Sequence, residues 1–377
     1  MVPKLKFTFS IRNGDNDVDL QRFSDNVCRS MLSLQTPVLQ SLHLEVIAKK
    51  SGTIDFGVLV GIAFGHHVRE LVLTVEFSQG SFRFPINLYK CEMLETLKLG
   101  GCGSSIILDV TSPVCLKSLR TLHLHYVFFK DEESVLNLLS GCESLETLLV
   151  RPSRNDDVKT FTIAVPSLQK LTIQSGYGDG ADYVINAPSL KYLNIEACHH
   201  YGSFLIENAP QLVEAEIFSG NVIMGSLTSL KHLTLSISHL EMKVPAGSIF
   251  NQLVYLKLFP SELEDWNLLM LILDNSPILQ VLKIQSGYGV EARNEWKAPK
   301  HVPQCLSLHL KTLDWCVDGI EYGEEVAEYI LENASRLEKL ILSFDVDNYS
   351  LSEEDKLQVW HAMESMCPYS CEFDLVG

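Results

Sequence analysis

Long apolar runs are missing from this 377-residue chain. None approaches the ~20 consecutive residues that a bilayer-spanning helix needs. The opening "MVPKLKFTFSIRNGD" lacks the basic stretch followed by an apolar one that marks a secretory leader. The expected setting is therefore the cytoplasm, the nucleus or both. Positive charge is also scarce, with 30 Lys/Arg against 47 Asp/Glu and a formal net charge of −17. From Glu291 onward there are 18 Asp/Glu and 7 Lys/Arg, a balance of −11 that leaves −6 for the first 290 residues. Such a surface repels phosphate backbones and anionic lipid, so neither nucleic acid nor membrane is expected as a partner, whereas a basic protein fits. The motifs G-x-x-x-x-G-K-[ST], H-E-x-x-H and G-x-S-x-G do not occur. No catalysis and no cofactor are therefore expected.

Cysteine is not scarce, but its ten copies are scattered, mostly beside apolar positions. They read as reduced, mostly buried thiols rather than a disulfide framework. In that setting the sequons at Asn333 and Asn348 carry no glycan.

What is abundant is one phrase. "MLETLKLG" (93–100), "SLRTLHLHY" (118–126), "SLETLLVR" (144–151), "SLQKLTIQ" (167–174) and "SLKYLNIE" (189–196) share the pattern L-x-x-L-x-L. With Ile, Val or another apolar residue allowed in a leucine slot, thirteen copies start at Leu39, Val68, Leu94, Leu119, Leu145, Leu168, Leu190, Leu212, Leu230, Leu253, Leu279, Leu310 and Leu337. Their spacings run from 18 to 31 residues, and most fall within the roughly 20–29 residues of a leucine-rich repeat. Alternate side chains of a strand point to opposite faces, so the last two leucines of each copy enter a core together. One copy cannot bury that face alone; stacked copies make a continuous parallel sheet. The fold class is therefore α/β, a leucine-rich-repeat solenoid with its parallel sheet on the concave face.

The text between copies predicts what backs the sheet. "DLQRFSDNVCRSMLSL" (19–34), "DEESVLNLLSGC" (131–142) and "EDWNLLMLILDNSP" (264–277) have apolar residues at helical spacing, the second with an acidic first turn and Gly141 as a stop. "FTIAVPSL", "YVINAPSL" and "FLIENAPQL" show a strand-like triplet and then proline, at a spacing of 22 residues that leaves no room for a helix. Helices are expected behind the outer copies and short extended segments behind the central ones.

Residues two, four and six places after the first leucine face away from the core and form the candidate partner-binding wall. The residues singled out are His123, His125, Arg151, Gln174, Tyr192, Asn194, Glu196, Glu216, Phe218, Tyr255, Lys257, Phe259, Lys283 and Gln285. Other features have plainer readings. "GYGDG" (176–180) lacks a following helix and lysine, so it is a turn, repeated as "SGYG" at 286–289. Cys198-His199-His200 and Cys367/Cys371 lack the spacing of a zinc site. His66-His67 reads as a helix end. "GIEYGEEVAEYILENA" (319–334) reads as an amphipathic helix, with Val326, Tyr329, Ile330 and Leu331 inward and its glutamates solvated.

Several longer stretches carry a resemblance. "PVLQSLHLEV" (37–46), "LVGIAFGHHVRELVL" (59–73), "SPVCLKSLRTLHLHYV" (112–127), "LLSGCESLETLLV" (138–150), "INAPSLKYLNI" (185–195) and "SIFNQLVYLKL" (248–258) are similar to plant F-box/FBD/LRR-repeat proteins. The stretch 294–342 resembles that family's FBD region through Trp296, Pro299, Val302, Pro303, Cys305, Leu306, Leu310, Trp315, Gly319, Glu325, Val326, Tyr329, Ile330, Leu331, Asn333, Ala334 and Leu337. The resemblance implies leucine-rich repeats over 1–290 and an FBD domain over 291–377 that continues and caps the array. It also implies a non-catalytic, monomeric protein that recognises a protein target, like the substrate-binding part of an SCF-type ubiquitin ligase. The family's F-box, which binds a Skp1-type adaptor, would lie before "VPKLKFTFS"; a Skp1-type adaptor is thus a partner only if an F-box is supplied. The alternative is a ligase-independent binder or decoy.

Overall fold

The structure is a computed structural model that describes residues 2–10, 17–50, 54–85, 91–102, 106–153, 158–174, 180–197, 202–219, 222–224, 229–237, 250–260, 264–285, 296, 298–317, 324–344, 357, 361, 365 and 371–376. The two glycine-rich turns (except Gly180), Cys198-His199-His200 and Cys367 lie outside these residues.

In chain order the elements are β1 (Lys4–Ser10), α1 (Asp17–Leu32), β2 (Ser41–Lys50), α2 (Phe56–Gly65), β3 (Glu70–Gln79), β4 (Phe82–Arg83), β5 (Thr96–Cys102), β6 (Ile106–Leu108), β7 (Thr121–Phe129), α3 (Glu132–Ser140), β8 (Thr147–Pro152), β9 (Thr160–Ala164) and β10 (Lys170–Gln174). They continue with β11 (Asp182–Asn186), β12 (Tyr192–Ala197), β13 (Phe204–Asn208), β14 (Glu214–Ser219), β15 (Val222–Met224), β16 (His232–Ile237), β17 (Tyr255–Pro260), α4 (Glu264–Asp274) and β18 (Val281–Ile284). The last are α5 (Gln304–Leu308), β19 (Thr312–Val317), α6 (Glu324–Asn333), β20 (Lys339–Phe344) and β21 (Glu372–Val376). Each of the thirteen phrases begins a strand two residues after its first apolar slot. This is an α/β leucine-rich-repeat solenoid fold.

The chain forms two compact units, Met1–Leu190 with His199–Ala209, and Lys191–Cys198 with Pro210–Gly377. In the first, β1, β2, β3, β5, β7, β8 and β10 pair in that order, all parallel. In the second, the parallel order is β12, β14, β16, β17, β18, β19, β20, β21. Equivalent residues pair with equivalent residues: Leu42, Leu71, Leu97 and Leu122 form one row and Leu233, Leu256, Leu282 and Leu313 another. These leucines are at most 3% exposed, so each contributes roughly 1.5–3 kcal/mol of transfer free energy.

Most strand starts share one hydrogen-bond device. The carbonyl of Arg69 accepts from both Glu95 N and Thr96 N, that of Glu95 from Arg120 N and Thr121 N, and that of Lys231 from Val254 N and Tyr255 N. A single acceptor with two lone pairs thus ties the first two amides of the next copy.

The backing follows the local sequence. α1 touches the sheet's leucine side, where Phe23 meets Phe9 of β1 at 5.2 Å between ring centres. α3 is capped by Asp131, whose carboxylate accepts from Ser134 N at 2.8 Å and Ser134 Oγ at 2.6 Å; these bonds hold its pKa below the usual carboxylate value. α2 ends at His66, whose Nδ1 lies 3.0 Å from Thr36 O, and His67 takes the left-handed conformation at φ 45°. In α6, Val326, Ile330 and Leu331 are buried, Tyr329 is half-buried, and Glu325, Glu328 and Glu332 are exposed, as the periodicity predicts.

Behind the central copies of the first unit no helix intervenes among the described residues. β9, β11 and β13 form a second parallel ladder, in which Phe161, Tyr183 and Phe204 are in register. With Phe129 of β7 they make a continuous aromatic spine: ring centres are 5.5 Å apart from Phe129 to Phe161, 5.5 Å from Phe161 to Tyr183 and 4.9 Å from Tyr183 to Phe204. All four rings are at most 1% exposed. At the turn, Asn208 Nδ2 donates to Asn186 Oδ1 at 3.1 Å, which gives the asparagine of the repeated "NAP" text a partner in the next copy.

Cys28, Cys91, Cys115, Cys142, Cys305, Cys316 and Cys371 are free thiols; only Cys91, Cys142 and Cys305 of these are buried and the other four are half-buried, so the expectation of mostly buried thiols does not hold for the described cysteines. Burial pushes the Cys142 and Cys305 thiols up to about 12. Because the thiolate is the reactive form, a thiol-reactive dye should label Cys115, Cys316 and Cys371 in the folded chain. Cys142 and Cys305 should react only on unfolding. Mass mapping of labelled peptides checks the order; early labelling of Cys142 would contradict it.

Candidate functional site

No helix among the described residues is long and apolar enough to cross a membrane. The chemistry-bearing side chains gather instead on the sheet face opposite the leucines, in three rows set by the parallel register. Neighbouring strands lie ~4.8 Å apart, so residues in one row are within reach of each other.

In the second unit the outermost two rows run Tyr192, Glu214, His232, Tyr255, and Glu196, Phe218, Ser236, Phe259. Between them runs Asn194, Glu216, Thr234, Lys257, Lys283, Asp314. Around β14, β16 and β17 these rows line a depression of about 440 Å³ walled by Glu214, Glu216, Phe218, His232, Thr234, Tyr255, Lys257 and Phe259. Its polar wall is a small network. Tyr192 Oη donates to Glu216 Oε2 at 3.2 Å, and Asn194 Nδ2 donates to the same oxygen at 3.3 Å and to Glu196 Oε1 at 3.1 Å. Partial burial, and then the nearby Glu216 and Glu214 carboxylates, raise the Tyr192 phenol pKa, partly offset by Asn194. Asn194 lies in the row expected to face outward but is only 9% exposed. It braces the glutamates instead of meeting solvent.

The apolar wall is aromatic. Phe218 and Phe259 are 5.7 Å apart, His232 and Tyr255 5.8 Å, and Lys257 Nζ sits 4.8 Å from the Phe259 ring centre. Lys283 is committed elsewhere: its Nζ lies 2.8 Å from Asp314 Oδ2, and that hydrogen bond raises its pKa. Gln285 follows β18 directly and is half-buried.

The remaining predicted residues belong to the first unit and form a separate cluster. His123 and His125 of β7 are 6.3 Å apart, Arg151 of β8 pairs in register with His125, and Arg151 Cζ lies 4.6 Å over the Tyr126 ring. Gln174 ends β10, the strand that pairs with β8. Two charged partners were missed by sequence reading: Lys98, in register with His123, and Asp314, in register with Lys283. Both stand four places after a first leucine, so the same offset count would have found them.

A family model described as "FBD-associated F-box protein At5g56370, LRR repeats" matches residues 61–221, and the FBD model matches 297–342. The chain is 47% identical over 358 residues to the F-box/FBD/LRR-repeat protein At3g26920 of Arabidopsis thaliana, covering 91% of this chain and 80% of that one. It is 43% identical over 394 residues to the putative FBD-associated F-box protein At1g55030 of the same plant, covering 100% of this chain and 89% of that one. The chain belongs to the F-box/FBD/LRR-repeat family. The FBD match of this family member takes in α5, β19, α6 and most of β20, so its strands are rungs of the same parallel ladder. Several of the residues that carry the resemblance are packing residues. Trp315 stacks on Trp266 of α4 at 5.7 Å and 9°, Trp296 meets Tyr329 edge-on at 5.5 Å, and buried Cys305 Sγ lies 3.4 Å from Leu273 O. Val302, by contrast, is 43% exposed, and Gly319 lies outside the described residues.

Proposed function

We propose that this chain is a non-catalytic protein-recognition array whose target docks on the helix-free face of β12 to β18. The observation that carries this reading is the depression of about 440 Å³ on β14, β16 and β17. It joins half-buried aromatic rings to braced carboxylates, the residue types that anchor protein interfaces. Glu196, Glu214 and Glu216 lie toward one side and Lys257 toward the other, while Lys283 is neutralised by Asp314. The expected target therefore places a basic side chain against the glutamates and apolar groups against Phe218 and Phe259. The names of the relatives support a place in SCF-type ubiquitination, with an F-box recruiting a Skp1-type adaptor and the repeats selecting what is modified. The FBD region continues the repeat array rather than forming a separate catalytic module.

The test is capture from plant extract by the chain joined to an F-box. The expected result is co-capture of a Skp1-type adaptor and of a target that is lost, roughly tenfold or more, in the Phe218→Ala/Phe259→Ala double variant. Target capture without adaptor, with target levels rising on overexpression, would instead mark a ligase-independent binder or decoy. Equal capture by the double variant would overturn the assignment of this face.

A further inference from the structure

The first unit carries a feature at odds with the acidity of the whole chain. On the helix-free face of β5, β7 and β8, the outward residues are Thr96, Lys98 and Gly100, then Thr121, His123 and His125, then Thr147, Leu149 and Arg151. No carboxylate stands in these nine positions, although Asp and Glu outnumber Lys and Arg by 47 to 30 overall. The in-register ladder sets Lys98 beside His123 and Arg151 beside His125. All four side chains are half-buried, and the guanidinium of Arg151 is steadied over the Tyr126 ring at 4.6 Å. Among the described residues, neither Lys98 nor Arg151 is ion-paired with a carboxylate.

The flanking strands do not cancel this charge. β3 presents Val72 and Thr74 in the same rows as Lys98 and Gly100, and its Glu76 pairs in register with Cys102, beyond the cluster. Its Glu70, in register with Thr96, has His43 Nε2 3.7 Å from Oε2. On the other side β10 ends with Thr172 and Gln174.

We propose that β5, β7 and β8 form an anion site in which Lys98, His123, His125 and Arg151 together take one phosphomonoester borne by a protein segment. The donor set decides the ligand. An ammonium, a guanidinium fork and two imidazoles offer more N–H groups than the two oxygens of a carboxylate can accept, and they match the three oxygens and near-double charge of a phosphate. A nucleic acid would need a basic stripe that follows its backbone. Here Glu45 stands in the row of His125 and Arg151, three strands before His125, Glu70 and Glu76 stand in the rows on either side of the cluster, and the chain as a whole is at −17. The site is built from other strands than the aromatic depression, so it stands or falls independently of that assignment.

The ligand should also act on the imidazoles. Burial lowers both histidine pKa values, with Lys98 and His125 adding to the effect at His123 and Arg151 at His125. A phosphate placed between these groups stabilises the imidazolium forms, so both titration midpoints should rise when it is bound.

The experiment is NMR of the full chain with labelled histidine, assigned through His123→Gln and His125→Gln and titrated with O-phosphoserine at constant ionic strength. Saturable shifts of both ring resonances and a rise in both midpoints are expected, with roughly tenfold weaker binding in Lys98→Gln and in Arg151→Gln. Lys257→Gln should bind as the parent does, and all variants should keep the parent's melting temperature. The proposal is overturned if O-phosphoserine moves neither ring, if glutamate moves them equally, or if Lys98→Gln and Arg151→Gln bind unchanged. Shifts with inorganic phosphate but none with O-phosphoserine would rule out a protein-borne group. Tighter occupation of the same rings by a single-stranded oligonucleotide would assign the patch to a polyanion instead.

Discussion

Replacing Phe161 with alanine should unfold the first unit at a temperature lower by on the order of 10 °C, from a loss of about 3–5 kcal/mol. Phe161 is 1% exposed and sits between Phe129 and Tyr183, each 5.5 Å away, so its removal breaks the aromatic spine in the middle. The lost transfer energy and the cavity left behind both count, and the two ring contacts add about 0.5–1.5 kcal/mol each beyond area. β9 is only five residues long and depends on that ring to hold the second ladder against the first. Calorimetry of Phe161→Ala beside Phe161→Leu checks it: the leucine should recover most of the loss. A melting shift of a degree or two for the alanine variant would mean that the spine does not support this part of the fold.

Gly141→Ala should be of similar severity for a different reason. Gly141 caps α3 at φ −88° and ψ 4°, a conformation open to any residue, so backbone strain is not the issue. A β-carbon there would stand 2.0 Å from Val114 O and 2.5 Å from Val114 C, contacts with main chain that cannot swing aside. The site is also a hydrogen-bond junction, because Leu116 N donates to Gly141 O at 3.1 Å. The expected cost is about 3 kcal/mol or more, the upper end for overpacked cores. Gly61→Ala is the matched control: nothing lies within 4 Å of its β-carbon in α2, so the change should stabilise by about 0.5–1 kcal/mol. Equal melting temperatures for the two variants would contradict this assignment.

These two positions show where the sequence could be read and where it could not. The leucine phrase placed thirteen strands correctly because its period is the period of the ladder itself; a mispaired strand would turn its leucines to water. Helix and extended backing were also legible, from the room between copies and from the proline turns. Gly141 was legible only as a helix stop, since its approach to Val114 joins two copies and has no local signal. The aromatic spine was half-legible. Phe161, Tyr183 and Phe204 open the repeated stretches "FTIAVPSL", "YVINAPSL" and "FLIENAPQL" and so share a row, but Phe129 stands in different text and only stacking adds it to the column. β21 escaped the phrase search because "EFDLV" keeps the alternation of Phe373 and Leu375 without the first leucine. On the candidate face, counting offsets identified the rows, but not which members neutralise one another. Lys283 reads as an available cation until Asp314 is seen at 2.8 Å, and Asn194 reads as surface until its 9% exposure is known.

The shared carbonyl at most strand starts has one further consequence. Because most copies within each unit are fastened to the one before by the same pair of amides, as at Arg69, Glu95 and Lys231, that joint does not depend on the side chains of the copies it connects. Where no side chain is shared between copies, as it is at the aromatic spine and at Gly141, the outward letters of one strand can change without disturbing the bond that anchors the next.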